Sequence, residues 1–127
     1  QTQCPDLILS EHSTWKRIYL HRMKHSKICI ASTGLHQSSG WKIAEYLAAG
    51  RAIVSEPLCY EVPGPFQAGE NYLTYTSADG CIEQIRTLLA HPEQILQMGQ
   101  RNRAYYDTWL RPDQIVAKAL EQAKISL

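Results

Sequence analysis

Residues 38–54 read SSGWKIAEYLAAGRAIV, and this stretch decides the fold. Its apolar side chains recur at helical spacing over residues 41–49, Gly50 follows them, and an apolar run occupies residues 52–55. Glycine readily ends a helix because it accepts a left-handed backbone without a Cβ clash. An unbroken apolar run is typical of a strand that is buried on both faces of a sheet. The stretch therefore predicts a helix, a turn at Gly50 and a buried strand.

The segments on either side alternate between strand and helix patterns in the same way. Short apolar strand candidates occupy residues 6–10, 27–31 and 71–75. Helical patterns occupy residues 14–25, a segment capped by Ser77 or Asp79, residues 92–109 and residues 111–127. Alternating strands and helices predict an α/β fold of Rossmann-like type, with three layers (α/β/α) around a short parallel sheet.

Length, charge and cysteine usage limit the class of protein. The chain has 127 residues with 44% hydrophobic content, which suits a single domain. Its formal net charge is only +1, so overall charge draws the chain neither to nucleic acid nor to an anionic membrane. No apolar run is long enough to span a membrane, and the N-terminus has no signal-peptide pattern. The four cysteines form no C-x-x-C pair, so we expect reduced thiols in a soluble, cytoplasmic chain that was excised from a longer one.

Glu45 is the only acid in the helical pattern of residues 41–49. On a helical wheel it projects from a surface of small residues, with Trp41 and Ala49 on either side. One interpretation is a surface ion pair with Lys42, although a lysine that precedes a glutamate is the less favourable order in a helix. The other is a ligand role, because a carboxylate can accept hydrogen bonds from the vicinal hydroxyls of a ribose.

Ser38, Ser39 and Gly40 precede this helix and are all small. They place free backbone N–H groups and the positive end of the helix dipole at the carboxyl edge of the predicted sheet, where a phosphate group binds readily. Neither the G-x-G-x-x-G fingerprint nor a G-x-x-x-x-G-K-[ST] loop is present, so the sequence does not support a dinucleotide oxidoreductase or a P-loop NTPase. The combination of phosphate and ribose contacts predicts a nucleotide site.

Other candidate residues lie outside this helix. His21 and His25 have the spacing of metal ligands, but the basic residues among them favour a solvated surface. His36 precedes the phosphate candidate and is a further candidate for ligand contact. Glu56 begins residues 56–70, a segment with three prolines and two glycines that is typical of a functional or mobile loop. We include Glu56 as a candidate for contact with sugar hydroxyls.

The run GWKIAEYLAAGRAIV resembles the nucleotide-binding helix and the strand after it in the C-terminal domain of GT-B glycosyltransferases, the group-1 or family-4-like enzymes with their CgeB-like branch. In that family two glutamates with seven residues between them bracket a Gly-aromatic-Gly loop. Glu45 matches the second glutamate, for which the resemblance implies ribose binding, and Gln37 stands in place of the first, which contacts the transferred sugar. The donor-binding residues that the resemblance implies are Gln37, Ser38, Ser39, Gly40, Trp41, Lys42 and Glu45.

The resemblance covers residues 15–120 and implies a single partial α/β domain over residues 1–127, part of the C-terminal half of a GT-B fold. It implies a hexosyltransferase-like enzyme that uses a nucleotide diphosphate-sugar donor, with no cofactor and no bound metal. The acceptor domain of such an enzyme is N-terminal and absent from this chain, so the isolated chain is expected to be inactive. We expect the C-terminal helix, residues 110–127, to pack on that missing domain, and peripheral association of the parent protein with a membrane is compatible with this interpretation.

A second interpretation remains open. Because Gln37 replaces an acid, the chain could be a non-catalytic, degenerate nucleotide-binding module or a protein-interaction α/β module. Receiver-type interaction domains carry clustered acids at their strand ends, whereas the predicted strands here end at Ser10, Ser32 and Ser55. The sequence therefore favours the glycosyltransferase interpretation.

Overall fold

The computed structural model describes residues 10–126. Its helices and strands are, in chain order, α1 (Lys16–His25), β1 (Ile28–Ala31), α2 (Gly40–Ala48), β2 (Ala52–Ser55), β3 (Leu73–Thr74), α3 (Ala78–Ala90), α4 (Pro92–Tyr105) and α5 (Pro112–Ser126). Short 3-10 helices and a π-helical turn cover Glu11–Thr14, Leu35–Gln37 and Tyr106–Leu110. The strand predicted over residues 6–10 lies outside the described residues, apart from its last position. Among the described helices, none combines the length and the apolar character needed to cross a bilayer.

The three strands form one parallel sheet with the order β1-β2-β3. β1 and β2 pair from Ile28 opposite Ala52 to Ala31 opposite Ser55, and β3 pairs with the last two residues of β2. All four residues of β2 are buried, as expected for a central strand that is covered on both faces.

β2 separates two hydrophobic clusters, because successive side chains of a strand point to opposite faces. Ile53 belongs to a cluster formed with α1 and α2, whereas Ala52 and Val54 belong to a cluster formed with α3 and α4. Ile53 and Val54 are both fully buried, and burial of such a side chain stabilises the fold by about 1.5–3 kcal/mol. Helices on both faces of a parallel sheet make an α/β/α architecture, which confirms the predicted fold class.

Most predicted element ends agree closely with the structure. Gly50 adopts the predicted left-handed conformation, with φ 63°. Ser77 is the N-cap residue of α3, where its hydroxyl accepts a hydrogen bond of 3.0 Å from the Gly80 N–H. The helix predicted over residues 92–109 instead changes at Tyr105 into the π-helical turn before α5 begins at Pro112.

Two buried asparagines join α4 to the sheet. The Asn102 Nδ2 group donates to the carbonyl oxygens of Arg51 (2.8 Å) and Asn71 (2.9 Å), and Asn102 Oδ1 accepts from Asn71 Nδ2 (3.2 Å). Asn71 Oδ1 accepts from the Gln67 N–H (3.0 Å). Because α4 engages both the side chain and the carbonyl of Asn71, the strand predicted over residues 71–75 is reduced to β3.

α4 also approaches the turn that follows α2 very closely. A Cβ atom on Gly99 would lie 2.5 Å from the carbonyl oxygen of Gly50, so only glycine fits there. One turn later, Arg103 Nη1 donates a hydrogen bond of 2.6 Å to the Ala48 carbonyl near the end of α2. The C-terminal end of α2 is therefore fixed against α4, and its N-terminal end points toward the carboxyl edge of the sheet.

Candidate functional site

The carboxyl ends of the three strands meet around a cleft of about 280 Å³, which we call the edge crevice. Its lining comprises Thr33, Gln37, Glu56, Pro57, Cys59, Tyr75 and Thr76. Glu56 follows β2 directly, Tyr75 follows β3 directly, and Thr33 lies two residues after β1. Ligands of open parallel sheets bind at this edge, where loops from neighbouring strands converge. The edge crevice contains two of the residues that the sequence predicts, Gln37 and Glu56.

Glu56 joins the ends of β1 and β2 through its carboxylate. Oε2 accepts hydrogen bonds from the Thr33 backbone N–H (2.7 Å) and from the Thr33 hydroxyl (2.9 Å). These two hydrogen bonds lower the pKa of Glu56 below its ordinary value, so the group is ionised at neutral pH. Oε1 accepts no hydrogen bond from the described residues, which leaves it available to a hydroxyl of a ligand.

Tyr75 links the third strand to the first. Its hydroxyl donates a hydrogen bond of 3.0 Å to the carbonyl of Ala31 at the end of β1, and its backbone N–H bonds to Ser55 at the end of β2. Burial and the nearby charge of Glu56 raise the pKa of the Tyr75 hydroxyl, so it remains a proton donor at neutral pH. Sequence reasoning assigned no site role to Thr33 or Tyr75 themselves, because only the parallel pairing of the strands brings them beside Glu56.

The loop between β1 and α2 has an unusual backbone. His36 and Gln37 both adopt positive φ angles, 55° and 61°, which is uncommon for residues other than glycine. The Gly34 N–H donates to the Ser38 carbonyl (2.8 Å), and the Tyr60 hydroxyl donates to the His36 carbonyl (3.0 Å). These bonds hold the loop in the conformation in which Gln37 lines the edge crevice, whereas the lining of that crevice does not include His36.

The start of α2 is open, as a phosphate site requires. Ser39 precedes the helix in a helical conformation and makes no capping hydrogen bond with its side chain, and Gly40 has φ 69°. Ser39 and Gly40 line a separate apolar cavity of about 150 Å³ between α2, the Pro-rich loop and the end of α4. Trp41 is 88% exposed and Lys42 is exposed beside it. The predicted donor-binding residues are therefore divided between the edge crevice, this second cavity and the exposed surface of α2.

Glu45 contacts α1. Its carboxylate forms an ion pair with Lys16, not with the neighbouring Lys42 that we considered from the sequence. The Tyr19 hydroxyl is buried beside this carboxylate and makes no hydrogen bond of ordinary geometry within the described residues. It nevertheless lies close enough to Glu45 to help lower the pKa of that carboxyl. Burial alone would raise the pKa of Glu45, but Lys16, Tyr19 and Lys42 together lower it. The group is thus held as a carboxylate, with 26% of its side chain exposed.

The histidine pair of α1 does not form a metal centre with other residues. His21 and His25 stack with their ring centroids 4.3 Å apart, and His25 Nδ1 lies 2.8 Å from the carbonyl oxygen of His21. Within residues 10–126, no group of three or more His, Cys, Asp or Glu side chains is arranged to hold a metal ion.

Comparison with known proteins gives one result. A family model described as glycosyl transferase-like matches residues 7–125. Neither a curated protein nor a solved structure matches the chain. The match to the family model extends over nearly the whole sequence and includes the loop, α2 and the edge crevice. On this evidence the chain belongs to the glycosyl transferase-like family.

Proposed function

We propose that the chain is the donor-binding part of a hexosyltransferase-like GT-B enzyme, which transfers a sugar from a nucleotide diphosphate-sugar to an acceptor. The observation that carries this proposal is the edge crevice of a glycosyl transferase-like domain, where Glu56 presents a free carboxylate oxygen beside Gln37. Carboxylate and amide groups at this position can accept hydrogen bonds from the hydroxyls of a sugar.

The other donor contacts belong to α2. Ser38, Ser39 and Gly40 would receive the diphosphate at the uncapped start of the helix, where the dipole favours an anion. Lys42 would offset the charge that develops on the leaving diphosphate, so this mechanism needs no bound metal or other cofactor. Glu45 would accept hydrogen bonds from the ribose, a role for which its lowered pKa keeps it ionised.

Two further features belong to the same proposal. The acceptor would be bound by an N-terminal domain outside this chain, so the chain alone would not turn over. Cys29, Cys59 and Cys81 are free thiols, which fits the reducing cytoplasm that we expect for the protein.

A second candidate is a nucleotide-binding module without catalytic activity. Gln37, which lines the edge crevice where relatives are expected to carry an acid, favours this alternative. The difference from the first proposal is that the parent protein would bind the donor without transferring its sugar.

The test is a titration of the isotope-labelled chain with UDP, GDP and ADP and with the corresponding nucleotide-sugars, followed by NMR. We expect saturable shifts at the amides of residues 33–45 with one of the nucleotides. Glu45→Gln should weaken binding of that nucleotide and of its nucleotide-sugar by roughly 10- to 100-fold, the effect of losing hydrogen bonds to a charged group. Glu56→Gln should weaken only the sugar-bearing donor. The absence of saturable shifts with every nucleotide at millimolar concentration would overturn both candidates.

Two variants serve as controls for this titration. Lys16→Gln removes the same ion pair as Glu45→Gln but keeps the carboxylate, so it separates loss of a ligand contact from loss of a helix contact. Glu83→Gln changes an exposed glutamate on α3 and should leave every affinity unchanged.

A further inference from the structure

Charge is distributed unevenly along the chain. Residues 12–44 contain six of the thirteen Lys and Arg residues and none of the twelve Asp and Glu residues. The other seven Lys and Arg residues and all twelve Asp and Glu residues lie outside this segment. A nearly neutral protein therefore has one strongly basic region, which contains the whole of α1.

Most basic residues of α1 form one exposed surface, which we call the basic face. It consists of the cations Arg17, Arg22 and Lys24 with the histidines His21 and His25, all of them exposed. The opposite side of α1 packs on the core through Met23 and its neighbours. Within the described part of the chain, no acid forms an ion pair with any cation of the basic face. The charge of this surface is therefore uncompensated.

The basic surface continues beyond the end of α1 into a second cleft. This cleft, of about 460 Å³, lies at the amino ends of the strands, and its lining contains Lys27 and Arg51 together with Arg103, whose charge is paired with Asp107. Arg51 Nη1 donates to the carbonyl oxygens of Lys24 and Ser26, which joins the cleft to the C-terminal end of α1. Among the described residues that line the cleft, none is acidic.

At the other end of α1 lies Trp15, an indole that is 58% exposed. Tryptophan is enriched at the boundary between a membrane and water, where its ring fits the headgroup region. Clustered lysines and arginines are attracted to the surface potential of anionic lipids. The described residues that line the cleft at the amino ends of the strands include no aromatic ring on which the bases of a single-stranded nucleic acid could stack. We propose that the basic face, with Trp15 at its edge, docks the protein on a bilayer that contains anionic lipid.

The test is sedimentation of the 127-residue chain with vesicles of phosphatidylcholine and with vesicles of an equal mixture of phosphatidylcholine and phosphatidylglycerol. We expect binding only to the anionic vesicles, and weaker binding as salt increases. The double variant Arg17→Gln/Arg22→Gln should bind about 25-fold more weakly, since each cation near the surface contributes roughly five-fold. Trp15→Ala should also reduce binding. The factor by which it does so should change little with salt, because the lost contact is apolar.

The matched control is Arg86→Gln/Lys124→Gln, which removes the same net charge from exposed positions on α3 and α5. Its affinity for anionic vesicles should stay within about two-fold of the original chain, since these cations lie outside the basic face. Equal weakening in both double variants would overturn the proposal, because net charge alone would then explain binding. It would also be overturned by equal binding to neutral vesicles, by no binding to either kind, or by displacement of the vesicles by single-stranded RNA. Circular dichroism of both double variants verifies that they remain folded.

Discussion

Glu56 is the residue that organises the candidate site, because its carboxylate joins the loops after β1 and β2. The same two hydrogen bonds from Thr33 that orient Oε2 also leave Oε1 available to a ligand. A carboxylate that is oriented before the ligand arrives needs less reorganisation on binding, which favours affinity.

The lowered pKa of Glu56 predicts how the site responds to acid. Because the folded state favours the ionised form, the contribution of this carboxylate to stability is complete above its unfolded pKa of about 4.3 and is lost as pH falls through the lower, folded pKa. We expect the Thr33 amide resonance to titrate with a midpoint below the ordinary pKa of a glutamate carboxyl. In Thr33→Val the hydroxyl is lost and the backbone N–H remains, so the Glu56 midpoint should rise only partway. A Glu56 midpoint at the ordinary pKa of a glutamate carboxyl would contradict the two hydrogen bonds.

At the level of single residues, the sequence predicts some site positions and not others. Gln37 was identified through the family resemblance, as the residue eight positions before Glu45, and Glu56 because it begins a segment rich in prolines and glycines. The partner of Glu45 was not identified, because Lys16 lies 29 positions away and helical spacing reports only neighbours within one helix. The role of Tyr46 was also missed: this tyrosine is buried on α2, and its hydroxyl donates to the Ile30 carbonyl (3.1 Å).

At the level of elements, the attachment of α4 depends on the Asn71–Asn102 pair. Asn102→Ala removes hydrogen bonds to two carbonyls and to Asn71, and it leaves these buried groups without partners. We expect the free energy of unfolding to fall by about 2–4 kcal/mol. Urea denaturation measures this change, and Gln97→Ala at an exposed position of α4 should change stability by less than about 0.5 kcal/mol. A loss that is equally small for both variants would show that the pair is not needed.

Gly99 is the second determinant of this attachment. Alanine is about 1 kcal/mol better than glycine inside a helix, so propensity alone predicts that Gly99→Ala stabilises the protein. The new Cβ would, however, lie 2.5 Å from the Gly50 carbonyl oxygen, and the two segments would have to separate. We expect a net loss of about 1–3 kcal/mol in thermal denaturation. Gly80→Ala on α3, where the nearest atom is the Ser77 hydroxyl oxygen at 3.1 Å, should change stability by less than about 1 kcal/mol.

At the level of the whole molecule, α5 contributes least to the core. It packs mainly on the π-helical turn, and Ile115, Val116 and Leu120 are all exposed. These exposed apolar side chains are compatible with the expected packing of residues 110–127 on a further domain, which stays a prediction. Truncation after Arg111 should preserve cooperative unfolding and lower Tm by about 5 °C or less. A non-cooperative transition in calorimetry would instead show that α5 belongs to the folding unit.

The overall architecture was largely predictable from the sequence. The apolar runs of β1 and β2 and the glycine after α2 are strong local signals, and they determine the order of helices and strands. The short β3 and the π-helical turn were not predictable, because contacts between distant segments produce them. Asn71, the first residue of the predicted strand, bonds to α4 and β3 begins only at Leu73; that bond becomes visible only when both segments are placed together.

The contact between α2 and α4 has a consequence for motion. Gly50, Ala48 and Arg51 are held by α4, so the C-terminal end of α2 cannot move independently of that helix. Its first turn has no side-chain cap and follows two residues with left-handed backbone conformations. Any adjustment of α2 to a ligand must therefore be a pivot about its fixed end, with the largest displacement at Gly40. Hydrogen exchange should accordingly be slowest near the pivot and fastest at the end that would receive the phosphate.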